Sequence, residues 1–124
     1  MKKTLTMISI LFVLSFVLTA CGAGSSGASG FPTGRFVSAA NSNYVYTFNA
    51  DKTWEYVEWG TVEASGTYEV KGDRWTENGD VLCPFPATYK WSFDGTNLTF
   101  TLVGEDECAG RRTATDGQTY VLQP

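Results

Sequence analysis

No histidine occurs anywhere in the 124 residues, which removes the commonest general base, the commonest metal ligand and the side chain that titrates nearest neutrality. The three cysteines, Cys21, Cys83 and Cys108, therefore have no imidazole to activate a thiolate. No serine stands in a Gly-x-Ser-x-Gly or Ser-x-x-Lys spacing that would make its hydroxyl a nucleophile. Glu55 and Glu58 are three apart in an extended stretch, so they face opposite ways and cannot work as a paired acid and base. The run Glu105-Asp106-Glu107 carries charge enough for a hard cation but lacks the alternating oxygens and glycine of a calcium loop. A solvated loop is the simpler reading. Beside it, Arg111-Arg112 reads either as an anion site or as a local charge pair with these acids that holds the loop of a Cys83–Cys108 disulfide. This inventory predicts a protein that is not an enzyme, with no metal and no other cofactor.

Two side-chain sets point to binding instead. Glu58 shares a face with Trp54 and Tyr56, so it either lines a polar patch of an interior or marks the end of its strand. Trp54, Trp59, Trp75 and Trp91 offer flat faces on which a sugar could stack, or else they belong to the core. Trp59 and Trp75 are the two expected at the surface, because Trp59 opposes the Trp54 face and Trp75 lies between Arg74 and Thr76.

The elements that would position these residues are strands. From Phe31 onward the apolar period is two: Tyr44, Tyr46 and Phe48 alternate with polar or β-branched neighbours, as do Trp54 and Tyr56, Tyr89 and Trp91, and Leu98, Phe100 and Leu102. Turn formers separate the runs at Asn49-Ala50-Asp51-Lys52, Lys71-Gly72-Asp73, Asn78-Gly79-Asp80, Asp94-Gly95-Thr96-Asn97 and Asp116-Gly117. The expected strands cover residues 35–39, 44–49, 53–59, 65–71, 73–77, 87–93, 97–103 and 118–122, an antiparallel all-β meander of about eight short strands with no helix among them. Closing such a meander into a small barrel removes its edges, although a two-sheet sandwich is the alternative. Eight strands enclose room for side chains or one small ligand, and the lining expected for such a cavity is Tyr46, Tyr56, Trp91 and Phe100.

The chain's first residues carry a different pattern. Lys2 and Lys3 precede an apolar run from Leu5 to Leu18, too short to span a bilayer as a helix and of the length of a secretory signal. Leu18-Thr19-Ala20-Cys21 resembles the bacterial lipobox, which implies cleavage before Cys21 and lipid on its thiol. The expected organisation is a signal peptide over 1–20, a lipidated Cys21 with a small-residue tether over 21–30, and one β domain over 31–124. Nine residues, GAGSSGASG, would let the domain ride about 15–20 Å from its anchor. With Cys21 lipidated, Cys83 and Cys108 remain to pair in an oxidising compartment; two reduced buried thiols are the alternative. Without Lys2 and Lys3, seven basic residues face thirteen acidic ones, a net −6, which argues against nucleic acid as a partner. At 43% hydrophobic and 15% aromatic residues, the chain has the composition of a folded domain.

The layout resembles the lipocalin-like, or calycin, group of small bacterial domains. The residues that carry the likeness are Gly34-Arg35-Phe36, the Thr47-Phe48 to Thr53-Trp54 hairpin, Gly66-Thr67-Tyr68-Glu69-Val70, Thr88 to Gly95, Leu98-Thr99-Phe100 and Asp106 to Arg111. In that group a tryptophan on the first strand meets a late arginine and the two close one end of the barrel. Phe36 stands in the tryptophan's place and Arg111 in the arginine's, so the resemblance implies a Phe36–Arg111 pair, a contact worth about 0.5–2 kcal/mol. The function it implies is a binding domain, lipid-anchored to the bacterial cell membrane or the periplasmic side of the envelope, for a small apolar molecule or a glycan. The alternative is an interaction or inhibitor module without a small ligand, similar in architecture to bacterial lysozyme inhibitors. Its negative charge would then steer a basic protein partner, with a projecting loop at 80–87 or 105–112.

Overall fold

Alternation along the sequence becomes alternation between the inside and the outside of a closed sheet. The computed structural model describes residues 30–124; the expected signal, Cys21 and all of the tether except Gly30 lie outside the described residues. The strands are β1 Gly34–Ser38, β2 Tyr44–Phe48, β3 Thr53–Glu58, β4 Thr61–Lys71, β5 Arg74–Asn78, β6 Ala87–Phe93, β7 Asn97–Val103 and β8 Thr119–Leu122, with helix α1, Ala109–Thr115, between β7 and β8. Each strand pairs antiparallel with the next, and β8 returns to β1 through Phe36↔Leu122, Val37↔Val121 and Ser38↔Tyr120. The barrel is therefore closed, no sheet edge is left open, and the sandwich alternative falls away.

α1 corrects the expectation of an all-strand domain. It has seven residues, and its two buried members are Arg111 and Thr115. A two-turn helix whose inward stripe is an arginine and a threonine shows no apolar period, so periodicity could not reveal it. β4 also begins earlier than residue 65. Trp59 and Gly60 form a two-residue turn with φ of 51° and 82°, the left-handed pair that lets a hairpin follow the strand twist. Residues 61–66 then continue beside β3 with a register shift at Tyr56/Val57, while β5 reaches only as far as Asn78↔Thr67. Gly66 sits where they cross. A Cβ there would come within 2.7 Å of the Asn78 carbonyl and 3.1 Å of the Trp54 indole nitrogen, so only glycine lets these strands approach so closely.

The interior is filled with rings. Phe36, Tyr46, Phe48, Trp54, Trp75, Tyr89 and Phe100 are all at most 2% exposed, and most pack edge-to-face or tilted, the arrangement the ring quadrupole favours. Strand direction separates the two ends. At the end where β1 begins, Phe31 plugs the barrel against Phe48 and Trp91, each at 5.2 Å between centroids, and Tyr68 at 5.4 Å. At the opposite end lies α1, held by a 2.8 Å hydrogen bond between the Tyr46 hydroxyl and Thr115 Oγ1 and by Tyr120 O–H donating to the Ala114 carbonyl at 2.5 Å.

The long loop at 79–86 joins β5 to β6 at that same end, and Cys83 in it stands at disulfide distance from Cys108, the N-cap residue of α1, with Cα atoms 6.2 Å apart. A bridge that closes 25 residues restricts the unfolded chain by about 3.5 kcal/mol. Cys83→Ser and Cys108→Ser are thus expected to lose the same stability, about 3.5 kcal/mol each, in urea titrations. Unequal losses, together with a titratable thiol in the unmodified protein, would contradict the bridge.

Candidate functional site

β5 looks polar in sequence, yet it is one of the most deeply buried strands. Trp75 and Glu77 both point inward and both are 0% exposed. That corrects the surface position expected for Trp75, which packs 5.3 Å from Phe100 and 6.1 Å from Tyr89. Trp59, by contrast, stands 69% exposed on its turn, as its opposition to the Trp54 face implied.

Burying the Glu77 carboxylate demands a cation, and the first turn of α1 provides it. Arg111, 7% exposed, directs Nη1 to Glu77 Oε2, Nε to Asp106 Oδ2 at 2.8 Å and Nη2 to Asp106 Oδ1 at 2.7 Å. Asp106, itself 2% exposed, also accepts the Tyr89 hydroxyl at 2.5 Å and the Cys108 backbone N–H at 2.8 Å. The two-pronged contact is the strong geometry for a guanidinium and a carboxylate. Burial pulls the Arg111 pKa below the usual arginine value, while burial and the neighbouring Asp106 push that of Tyr89 up. Burial likewise raises Tyr46, to about 12, so both phenols stay neutral near neutral pH.

Arg111 thus forms the local charge pair, one of the two roles its sequence position suggested, through Asp106. Its partnership with Glu77, 34 residues away, was not visible in the sequence. Phe36 is not brought to Arg111. Its ring packs against Phe48 at 5.8 Å and Phe93 at 6.1 Å, and the cation that lies over a ring among the described residues is Lys52, 5.4 Å from Tyr68. Two carboxylates within hydrogen-bond reach outcompete a ring face for a buried guanidinium.

Arg111 also ties down the loop beside it, because Nη2 donates to the Phe85 carbonyl at 2.7 Å. That bond and Cys83 pin the backbone of 79–86 at two points. Its apolar side chains nevertheless stay out, with Val81 90%, Leu82 76% and Phe85 50% exposed.

Between this loop, α1 and the early part of β4 opens a pocket of about 530 Å³. Tyr46, Trp54, Tyr56, Ala64, Leu82, Phe85 and Ala114 form its apolar walls, and Glu58, Glu63, Asp80, Glu107 and Arg111 its polar ones. On the other flank of α1 a second recess of about 480 Å³ shares Tyr56, Glu58, Gly110 and Ala114 with it. Glu58 lines both, and burial together with the nearby Glu58 charge raises the Tyr56 pKa. Glu58 is the last residue of β3 and half-buried, so the strand-end alternative holds, and the residue sits at the mouth of the barrel and not in an interior polar patch.

Of the four residues expected to line a cavity, Tyr46 and Tyr56 do so and two do not. Phe100 is core, 1% exposed. Trp91 lies at the opposite end, half-buried against Phe31, with its indole N–H on the Gly72 carbonyl at 3.2 Å. The physical reason is Phe31 itself, which occupies the interior between them. No three carboxylates or thiols among the described residues are grouped to hold a metal ion, and no helix among them is long and apolar enough to cross a membrane. Compared with known protein families, with curated proteins and with solved structures, the chain matches none.

Proposed function

We propose that the protein is an exported, lipid-anchored binding module, lipocalin-like in layout, whose ligand site is the pocket at the α1 mouth of its barrel. The observation that carries this reading is the contrast between a ring-filled interior and an open pocket of about 530 Å³, within the size range of small-molecule sites. Aromatic walls with a few convergent polar groups suit a small ligand with an apolar body. Two ties on the 79–86 loop keep the pocket preformed, which lowers the entropy lost on binding.

Anchoring fits the same geometry. The chain enters the barrel at Phe31, opposite α1, ten residues after Cys21, so a lipid on Cys21 would leave the mouth facing away from its own membrane. Cys21→Ser is expected to move the protein from the membrane fraction to the soluble fraction, because acyl chains supply the stable attachment. Continued sedimentation of that variant with membranes would overturn the anchor.

The pocket is tested by weighing the protein, exported in its own host, under native and then denaturing conditions. A mass excess that disappears on denaturation, and is missing from an Ala64→Trp variant whose new ring fills the pocket, is the expected result. An excess retained by Ala64→Trp would place the ligand elsewhere. A second reading, a docking surface for a basic protein, draws on Val81 and Leu82, which stand in water on a pinned loop amid acidic neighbours. It predicts that Leu82→Ser weakens capture of a basic protein, and that added salt weakens it further.

A further inference from the structure

The charge of the pocket is one-sided. Glu58, Glu63, Asp80 and Glu107 line it, and Arg111 is the one cation among the lining residues. Arg111 is already committed to Asp106 and Glu77, so one formal positive charge faces two buried carboxylates and the surplus beneath the pocket is negative. The other ion pairs among the described residues join Asp73 to Arg74 and to Lys90, and none reaches a carboxylate of the pocket wall. Asp80 makes the imbalance acute. It is 5% exposed, its Oδ1 accepts the Leu82 N–H at 2.9 Å, and no cation of the described residues pairs with it. A carboxylate so far removed from water is costly unless a positive charge or a full set of donors compensates it.

Beside these oxygens the pocket is floored by packed aromatic rings. Tyr46 is 4.7 Å from Tyr56 and 5.9 Å from Trp54 between centroids, and all three rings line the pocket. Electron-rich faces attract a desolvated cation, and the carboxylates accept its N–H groups. A bare divalent ion would instead need carboxylates converging on one point, and no group of three does so among the described residues.

We infer that the pocket selects an organic cation: an ammonium or guanidinium group carried on an apolar or aromatic body, its charge toward Asp80 and Glu58 and its body against Tyr46, Trp54 and Tyr56. This inference rests on the pocket being the ligand site, and the test separates the two. Titration calorimetry of the full chain with phenethylammonium, phenethyl alcohol and phenylpropanoate presents one aromatic body with a positive, a neutral and a negative end. The ammonium is expected to bind about tenfold more tightly than the alcohol, with the carboxylate weakest. Asp80→Asn and Glu58→Gln should each bring the ammonium-to-alcohol ratio toward one; Glu58, half-buried at a strand end, serves if the Asp80 variant does not fold. Equal affinity for ammonium and alcohol would overturn the cation and leave the pocket as a ligand site. No binding of any of the three at millimolar concentration would overturn both.

Discussion

Arg111→Met is expected to destabilise the barrel by about 3–5 kcal/mol, because it strands two buried carboxylates without their cation. Glu77 and Asp106 both have side chains 0% exposed, and among the described residues Arg111 is the one cation that pairs with either. The change also frees the Phe85 carbonyl, so the 79–86 loop keeps only its Cys83 tie. Against a typical total stability of about 5–15 kcal/mol, such a loss leaves the fold marginal, and at about 4–8 °C per kcal/mol for a domain of this size it is easily read in a melting curve. Adding Glu77→Gln to the variant should recover part of the loss by removing one of the stranded charges. A melting temperature within a few degrees of the unmodified protein would show that the buried cluster is not what holds α1 to the barrel.

Phe31→Ala is expected to cost a similar amount, about 3–5 kcal/mol, as for other large-to-small changes in well-packed cores. Phe31 precedes every strand, yet it is 1% exposed and meets Phe48, Tyr68, Trp75, Trp91 and Phe100 between 5.2 and 6.5 Å. Removing its ring opens a void at the end where the chain enters, and the strand sheet cannot collapse to fill it. Urea unfolding is the direct measure. A loss below about 1 kcal/mol, the range of surface changes, would mean that the barrel closes without this plug.

These two residues mark where sequence alone runs out. The strands were legible because Tyr44, Tyr46 and Phe48, or Leu98 and Phe100, alternate over hairpins punctuated by turn formers, and a half-buried sheet imposes that period. The Cys83–Cys108 approach was legible from an odd cysteine count. β5 misled because one of its two inward positions is glutamate, tolerable only through an arginine 34 residues later on a different element. α1 was hidden for the matching reason: its inward residues are that same arginine and a threonine. A long-range charge pair disguises both of the elements it joins. Trp91 and Phe100 were expected around a cavity because alternation tells which side of the sheet a ring faces, but not whether another ring already fills the space.

On the proposed function, ligand enters at the α1 mouth and not the ring-filled interior or the Phe31 end. The measurement that tests it most directly is the backbone and indole amide spectrum of the full isotope-labelled chain, recorded as exported and again after its bound material has been stripped. Shifts concentrated at Tyr56, Glu58, Ala64, Leu82 and Gly110, with the Trp54 indole moving and the Trp91 indole still, are the predicted result. Unchanged spectra, or changes centred on Trp91 and Gly72, would contradict it.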